Sequence, residues 1–179
     1  TYTGVTTVQG GRLTLAGTGA QSAVFGAGRG GADVKGGRLV LDYTGNTDLT
    51  PQVKTILGAG YAQPTKFSSG AIRSSSATTA LGLGCADDTT THQTTVMFTY
   101  YGDANLDGTV NALDFNAVAT NFGTSAPWSG GDFNYDGTVD TQDFVALAGN
   151  FNQTLPAPAP AFGALVPEPG AIALLAGCA

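Results

Sequence analysis

Residues 102–123 recur as residues 131–152, an ungapped offset of 29 in which 13 of 22 pairs are identical. A unit this short cannot bury its own apolar face, so a duplicated unit predicts two copies packed on each other. Phe115, Val118, Ala119 and Phe122 follow the i, i+3, i+4, i+7 spacing of an amphipathic helix, as do Phe144, Leu147, Ala148 and Phe151. The expectation is two short helices whose apolar stripes meet around a pseudo-two-fold axis.

Each helix is preceded by twelve residues of defined chemistry. A loop of that length binds calcium through oxygens at its first, third, fifth, seventh, ninth and twelfth positions, with glycine at the sixth for the sharp turn. Residues 103–114 supply Asp103, Asn105, Asp107, Asn111 and Asp114 around Gly108, and residues 132–143 supply Asp132, Asn134, Asp136, Asp140 and Asp143 around Gly137. Thr109 and Thr138 fall where the main-chain carbonyl is the ligand, which leaves their side chains unconstrained. Val110 and Val139 follow, as expected of a short strand pairing the two loops. Two Ca2+ sites are therefore predicted. Without a cation, three or four carboxylates so close would repel by several kcal/mol at low effective dielectric. Magnesium demands tighter octahedral geometry than such a loop provides.

The charge distribution agrees. Twelve of the thirteen acids are Asp, and seven of those twelve lie in the two loops, whereas a merely solvated acidic face would use Glu freely. Residues 1–73 hold all seven basic residues and three acids, and residues 74–179 hold ten acids with no Lys or Arg. An acidic half of this kind excludes nucleic acid as its partner.

Upstream, a weaker repeat appears. The sequence Val8-Gln9-Gly10-Gly11-Arg12-Leu13-Thr14-Leu15 returns as Val34-Lys35-Gly36-Gly37-Arg38-Leu39-Val40-Leu41, an offset of 26. Gly-Gly followed by Leu-x-Leu reads as a turn leading into a half-buried strand, and the period suits one rung of a β-solenoid. Two rungs alone leave an open edge that needs a cap or a partner. Thr50 and Pro51, then Val53, Ile56 and Leu57 before Gly58, predict a short helix with a Thr cap and a Gly stop. Residues 70–74 and 94–101 read as strands. In the second, Val96, Phe98 and Tyr100 share one face, and Met97, Thr99 and Tyr101 the other. With 27 glycines and 11% charged residues, the chain suits turn-rich β architecture over long helices.

Residues 102–152 resemble a dockerin-type module. The segments before the loops, residues 98–102 and 128–131, read as non-helical, so the entering helix of a full EF-hand is absent, and Asp rather than Glu as last ligand also fits dockerins. The resemblance implies a cohesin-like protein partner, usually gripped by hydroxyl and basic residues near the loop end and on the following helix. Here those positions are Ala112-Leu113 and Thr141-Gln142, and neither helix carries Lys or Arg. The tail, Val166-Pro167-Glu168-Pro169-Gly170 and a short apolar run, resembles a PEP-CTERM sorting signal, which implies processing by an exosortase during export. Residues 1–15 resemble the autotransporter-associated β-strand repeat of bacterial surface proteins.

The expected organisation is a mixed, β-rich chain: a β-solenoid-like region over residues 1–101, a small α module of two calcium loop-helix units over 102–154, and a Pro/Ala linker with sorting tail over 155–179. Cys85 and Cys178 are either a pair or two separate thiols. His92 and the Asp87-Asp88 pair read as solvated loop residues. Trp128 and Tyr100-Tyr101 read as packing beneath the calcium sites, and no nucleophile, zinc or phosphate-loop motif is present. The expected function is that of a non-enzymatic, extracellular, cell-surface structural protein, stabilised by calcium and assembling as a homo-oligomer or homopolymer into a fibre or layer. The alternative is a dockerin-like adaptor for a cohesin-like partner.

Overall fold

The Gly-Gly repeat folds as its period requires. In a computed structural model, which describes residues 4–17, 21, 24, 25 and 30–156, β1 (Thr6–Val8) pairs in parallel with β3 (Ala32–Val34), Thr6 facing Ala32. Strand β2 (Arg12–Ala16) pairs in parallel with β4 (Arg38–Asp42), Arg12 facing Arg38. Both registers equal the 26-residue offset of the sequence. Parallel strands in register at one repeat length are stacked turns of chain. The stack continues for one more short strand, β5 (Ile72–Arg73), alongside β3. It then ends, because β7 (Gln93–Tyr100) closes on β4 in antiparallel sense and β6 (Leu81–Asp88) pairs with β7. The described residues thus form a three-stranded and a four-stranded sheet, ordered β1-β3-β5 and β2-β4-β7-β6, and no closed solenoid.

The glycine pair of the second turn is required by close approach. A Cβ on Gly36 would lie 2.5 Å from the Gln9 carbonyl oxygen, and one on Gly37 would collide with Gly11. Gly37 also has φ +69°, a conformation only glycine adopts without strain.

Helix α1 (Thr50–Tyr61) runs past its predicted stop at Gly58. Tyr135 packs beside Gly58, and Gly60 seats the Phe67 ring so closely that a Cβ there would be 2.9 Å from Cδ1. These glycines serve packing and do not terminate the helix. Thr50 is not the cap either: the Asp48 carboxylate accepts its N–H at 2.7 Å, and its hydroxyl meets that of Thr94 at 2.8 Å in the core. Of the strand expected over residues 70–74, only Ile72–Arg73 forms.

Strand β6 goes unannounced in the sequence, where the glycines of Leu81-Gly82-Leu83-Gly84 weaken a strand pattern. Its glycines are seats for aromatic rings. A Cβ on Gly82 would be 2.5 Å from the Tyr101 hydroxyl, and one on Gly84 would be 2.7 Å from Trp128 Cε2. One apolar core therefore runs without a break from Leu39, Leu41, Leu83 and Val96 through Leu106, Trp128, Phe133 and Leu147. Burial covers both faces of β7, where Val96 to Thr99 are all inaccessible or nearly so.

Cys85 lies in this core as a free thiol, fully buried, and burial pushes its pKa up to about 12. Since only the thiolate reacts, iodoacetamide at pH 8 is expected to leave Cys85 unmodified in the native protein and to label it in denaturant. Peptide mapping by mass spectrometry reads the outcome directly. Cys178 lies outside the described residues, as do residues 166–170 and the apolar run behind them.

Candidate functional site

The two loops are built alike, residue for residue. Each turns at a left-handed non-glycine residue, Leu106 (φ 57°) or Tyr135 (φ 61°), followed two residues on by Gly108 (φ 88°) or Gly137 (φ 91°). Asp107 accepts from Thr109 N at 2.8 Å and Asp136 from Thr138 N at 2.9 Å. Asn105 and Asn134 accept the N–H of Asp107 and Asp136 at 2.9 and 2.8 Å, and donate to the same residues' carboxylates at 2.9 and 2.8 Å. The side chains of the third and fifth positions are thus brought together in both copies.

The twelfth-position carboxylates have a second duty. Asp114 accepts from Ala104 N and Asn111 N, both at 2.8 Å, and Asp143 accepts from Phe133 N at 2.8 Å and Asp140 N at 2.9 Å. They close their loops and complete capping boxes for α2 (Ala112–Asn121) and α3 (Thr141–Gly149). The ninth-position residues, Asn111 and Asp140, are the N-caps of those helices and accept from Leu113 N and Gln142 N.

First-position aspartates lie deepest. Asp103 is fully buried and Asp132 only 5% exposed. Burial raises both carboxyls to about 6, and Asp143 is raised by the same cause. Asp103 accepts from Gly108 N at 3.0 Å and from the Thr99 hydroxyl of β7, and its main-chain carbonyl accepts from Trp128 Nε1 at 2.7 Å. Arg38 of β4 donates to the Leu106 carbonyl at 3.2 Å, and the Tyr135 hydroxyl to the Leu83 carbonyl at 2.6 Å. Sequence reasoning missed these ties, because nothing in the local pattern links Arg38 or Thr99 to a loop many residues away.

The donor set suits a hard cation. It consists wholly of carboxylate, amide and carbonyl oxygens. No ion pair reaches any of the seven loop aspartates among the described residues, where the one pair present joins Lys35 to Asp33 at 3.9 Å. Asp132 Oδ1 is buried without a hydrogen-bond partner, an arrangement that costs about 1–3 kcal/mol or more unless something satisfies it. No group of three or more His, Cys, Asp or Glu side chains gathers among the described residues. The three carboxylates of the first loop and the four of the second, expected from sequence to crowd one another, are thus not gathered into one group here.

Two expectations about how the units meet are corrected. Val110 and Val139 do not pair with each other. Val110 N donates to Gln153 O and its carbonyl accepts from Asn152 N, while Val139 N donates to Thr124 O and its carbonyl accepts from Gly123 N. Each loop therefore pairs with the segment that follows the other unit's helix. Packing is reciprocal in the same way: a Cβ on Gly102 would lie 2.8 Å from Leu147 Cα, and one on Gly131 would lie 2.9 Å from Val118 Cγ2. This exchange satisfies in the partner unit what neither can satisfy alone. The helix stripes do not meet along their length either. Val118 and Leu147 are buried, but Phe115, Phe122, Phe144 and Phe151 are 41–53% exposed, with only the Phe115 and Phe144 rings in contact at 6.4 Å. The inward-facing positions are taken up by packing on the glycines and on the β-sheet side. The segment before the second loop, expected to be non-helical, makes a single 3-10 turn, Trp128–Gly130, closed by Gly131 at φ +113°.

Replacing Asp114 or Asp143 by Ala removes a loop closure and a helix cap together. Each substitution is expected to destabilise by about 2–4 kcal/mol and to weaken calcium binding to its own loop most. Calorimetric titration and thermal melts of the two single variants check this.

Residues 101–152 match the family model of the dockerin type I domain. No curated protein and no solved structure matches the chain.

Proposed function

We propose, taking the dockerin-type domain of residues 101–152 as premise, that the chain is a non-enzymatic adaptor which binds a cohesin-like partner through the outer face of α2 and α3. Dockerin domains bind Ca2+, and here Asp103, Asn105, Asp107, Thr109, Asn111 and Asp114 would hold one ion and Asp132, Asn134, Asp136, Thr138, Asp140 and Asp143 a second. Bound calcium supplies the positive charge that the buried aspartates lack. The chain's own residues do the rest: Asp114 and Asp143 fix the start of each helix, and so fix the face that the helices present.

The observation that carries the reading is that face. Leu113, Phe115, Phe122, Phe144, Val145 and Phe151 are each 41–64% exposed. Six large apolar side chains, four on two adjoining helices and two just past their C-terminal ends, with no Lys or Arg on either helix, are what a protein interface leaves open in an unbound module. Recognition through this surface would depend little on salt, unlike docking through basic residues. The ladder of β1 to β4 supports the further reading that residues 1–101 are rung-like framework. Together with the sorting-signal resemblance of the tail, it suits an exported, surface-held protein. The self-assembling fibre favoured by the sequence has no support from the family match.

Isothermal titration against cohesin domains tests the proposal. Binding is expected in calcium, lost in EGTA, lost in a Phe115→Lys/Phe144→Lys variant, and altered less than about threefold between 50 and 500 mM NaCl. Binding that survives both the lysines and EGTA overturns it.

A further inference from the structure

The first Gly-Gly pair has no structural work to do within the described residues. Gly36 and Gly37 must be glycine because the backbone of residues 9–11 lies against them, and Gly30 must be because Gly4 lies against it. Gly10 and Gly11 hold the same places one repeat earlier, and nothing lies within 4 Å of a Cβ built on either. Gly11 keeps φ +68°, matching +69° at Gly37, so its conformation alone calls for glycine. Gly10 has neither a positive φ nor a neighbour to avoid.

The strands repeat the asymmetry. Leu39 and Leu41 of β4 are fully buried, whereas Leu13 and Leu15 in the same register on β2 are only half-buried. Donors alternate along the stack as in any parallel ladder: Thr6 N donates to Gly31 O at 2.9 Å, while Lys35 N donates back to Val8 O at 2.9 Å and Arg38 N to Gly11 O at 2.8 Å. The equivalent donors of the first turn, Gln9 N and Arg12 N, point the same way, with no further turn among the described residues to receive them. β1 and β2 are the end strands of their sheets, on the same side.

We infer that this edge is a docking surface for the trailing rung of a β-solenoid with the same repeat, seated in parallel register so that its backbone lies over Gly10. Clearance at a glycine and half-buried leucines, with amides that the repeat directs outward, mark the first turn as a seat for a strand stacked as β1 and β2 stack on β3 and β4. A second copy of this chain is a poor fit. At the far end of its own stack β7 covers β4 in antiparallel sense, and beyond β3 only the two residues Ile72–Arg73 of β5 run parallel, too little to cover both β1 and β2. This inference goes beyond the adaptor reading and does not depend on partner binding by α2 and α3.

The test uses the calcium-loaded full chain with and without a second copy of residues 1–26 placed ahead of Thr1, each with Gly10 or Gly10→Ala. In the chain as it is, the Gln9 and Arg12 amides are expected to exchange freely and Gly10→Ala to be silent. With the added rung, both amides are expected to slow by about tenfold or more, and Gly10→Ala to lower the melting temperature by about 4 °C or more. Amides that remain fast beside the added rung, or a Gly10→Ala effect equal in both backgrounds, overturn the inference. So does concentration-dependent dimerisation that protects the same amides without any added rung. Retained cohesin binding alongside any of these outcomes separates failure here from failure of the adaptor reading.

Discussion

Stripping calcium with EGTA is expected to lower the melting temperature by about 15 °C or more, in one transition that takes the β-sheets along with the loops. Asp103, Asp114 and Asp143 are fully buried, Asp132 nearly so, and no cationic side chain pairs with any of them among the described residues. A ligand held at about a thousand times its dissociation constant adds about 4 kcal/mol per site, and in a domain of this size each kcal/mol moves the midpoint by about 2–4 °C. The loss should not stay local. Trp128 is anchored to Asp103, Tyr135 to Leu83 and Asn150 to the Tyr101 carbonyl, so loosening the loops opens the core behind β6 and β7. Far-UV and near-UV circular dichroism should therefore fall together. An unchanged midpoint in EGTA would sink the role given to calcium.

The calcium-free protein should also show an inverted pH response. Asp103 and Asp132 have folded-state values of about 6 against an ordinary 3.8, because burial disfavours their charge. The folded chain then binds protons more tightly than the unfolded chain between those values, so stability rises as pH falls from 7 toward 4 and is lost as pH climbs through 6. Melts of the EGTA-treated protein at pH 5 and pH 7.5 decide the matter.

Trp128→Ala is expected to be the most damaging single substitution, at about 3–5 kcal/mol. The ring is 1% exposed and sits against Tyr101, Phe133 and Tyr135 with centroids 5.2–6.2 Å apart. Its Nε1 is the donor to the carbonyl of the first residue of the first loop. Trp128→Phe separates the two contributions, since it keeps most of the volume and leaves that buried carbonyl unpaired, at about 1–3 kcal/mol. By contrast Phe122→Ala, at a residue 53% exposed, should move stability by less than about 1 kcal/mol. Equal losses for Trp128→Ala and Phe122→Ala in calorimetry would contradict the packing described.

What the linear chain determined here is local and periodic. The loops were legible because ligand chemistry fixes residue type at successive positions, and because duplication shows which positions matter. The stacked turns were legible because parallel register must equal repeat length. Both signals are carried by residues close together or a constant distance apart. Tertiary structure decided everything that depends on who comes near whom. Gly82 and Gly84 carry no signal of a strand along the chain, yet Tyr101 and Trp128 fill the space above them and require glycine in one. The helix phenylalanines read as core until the glycines ahead of each loop draw Val118 and Leu147 inward instead. Val110 and Val139 read as partners until each pairs with the other unit's exit segment. A side chain's burial is a property of its neighbours in space, and a sequence records only its neighbours along the chain.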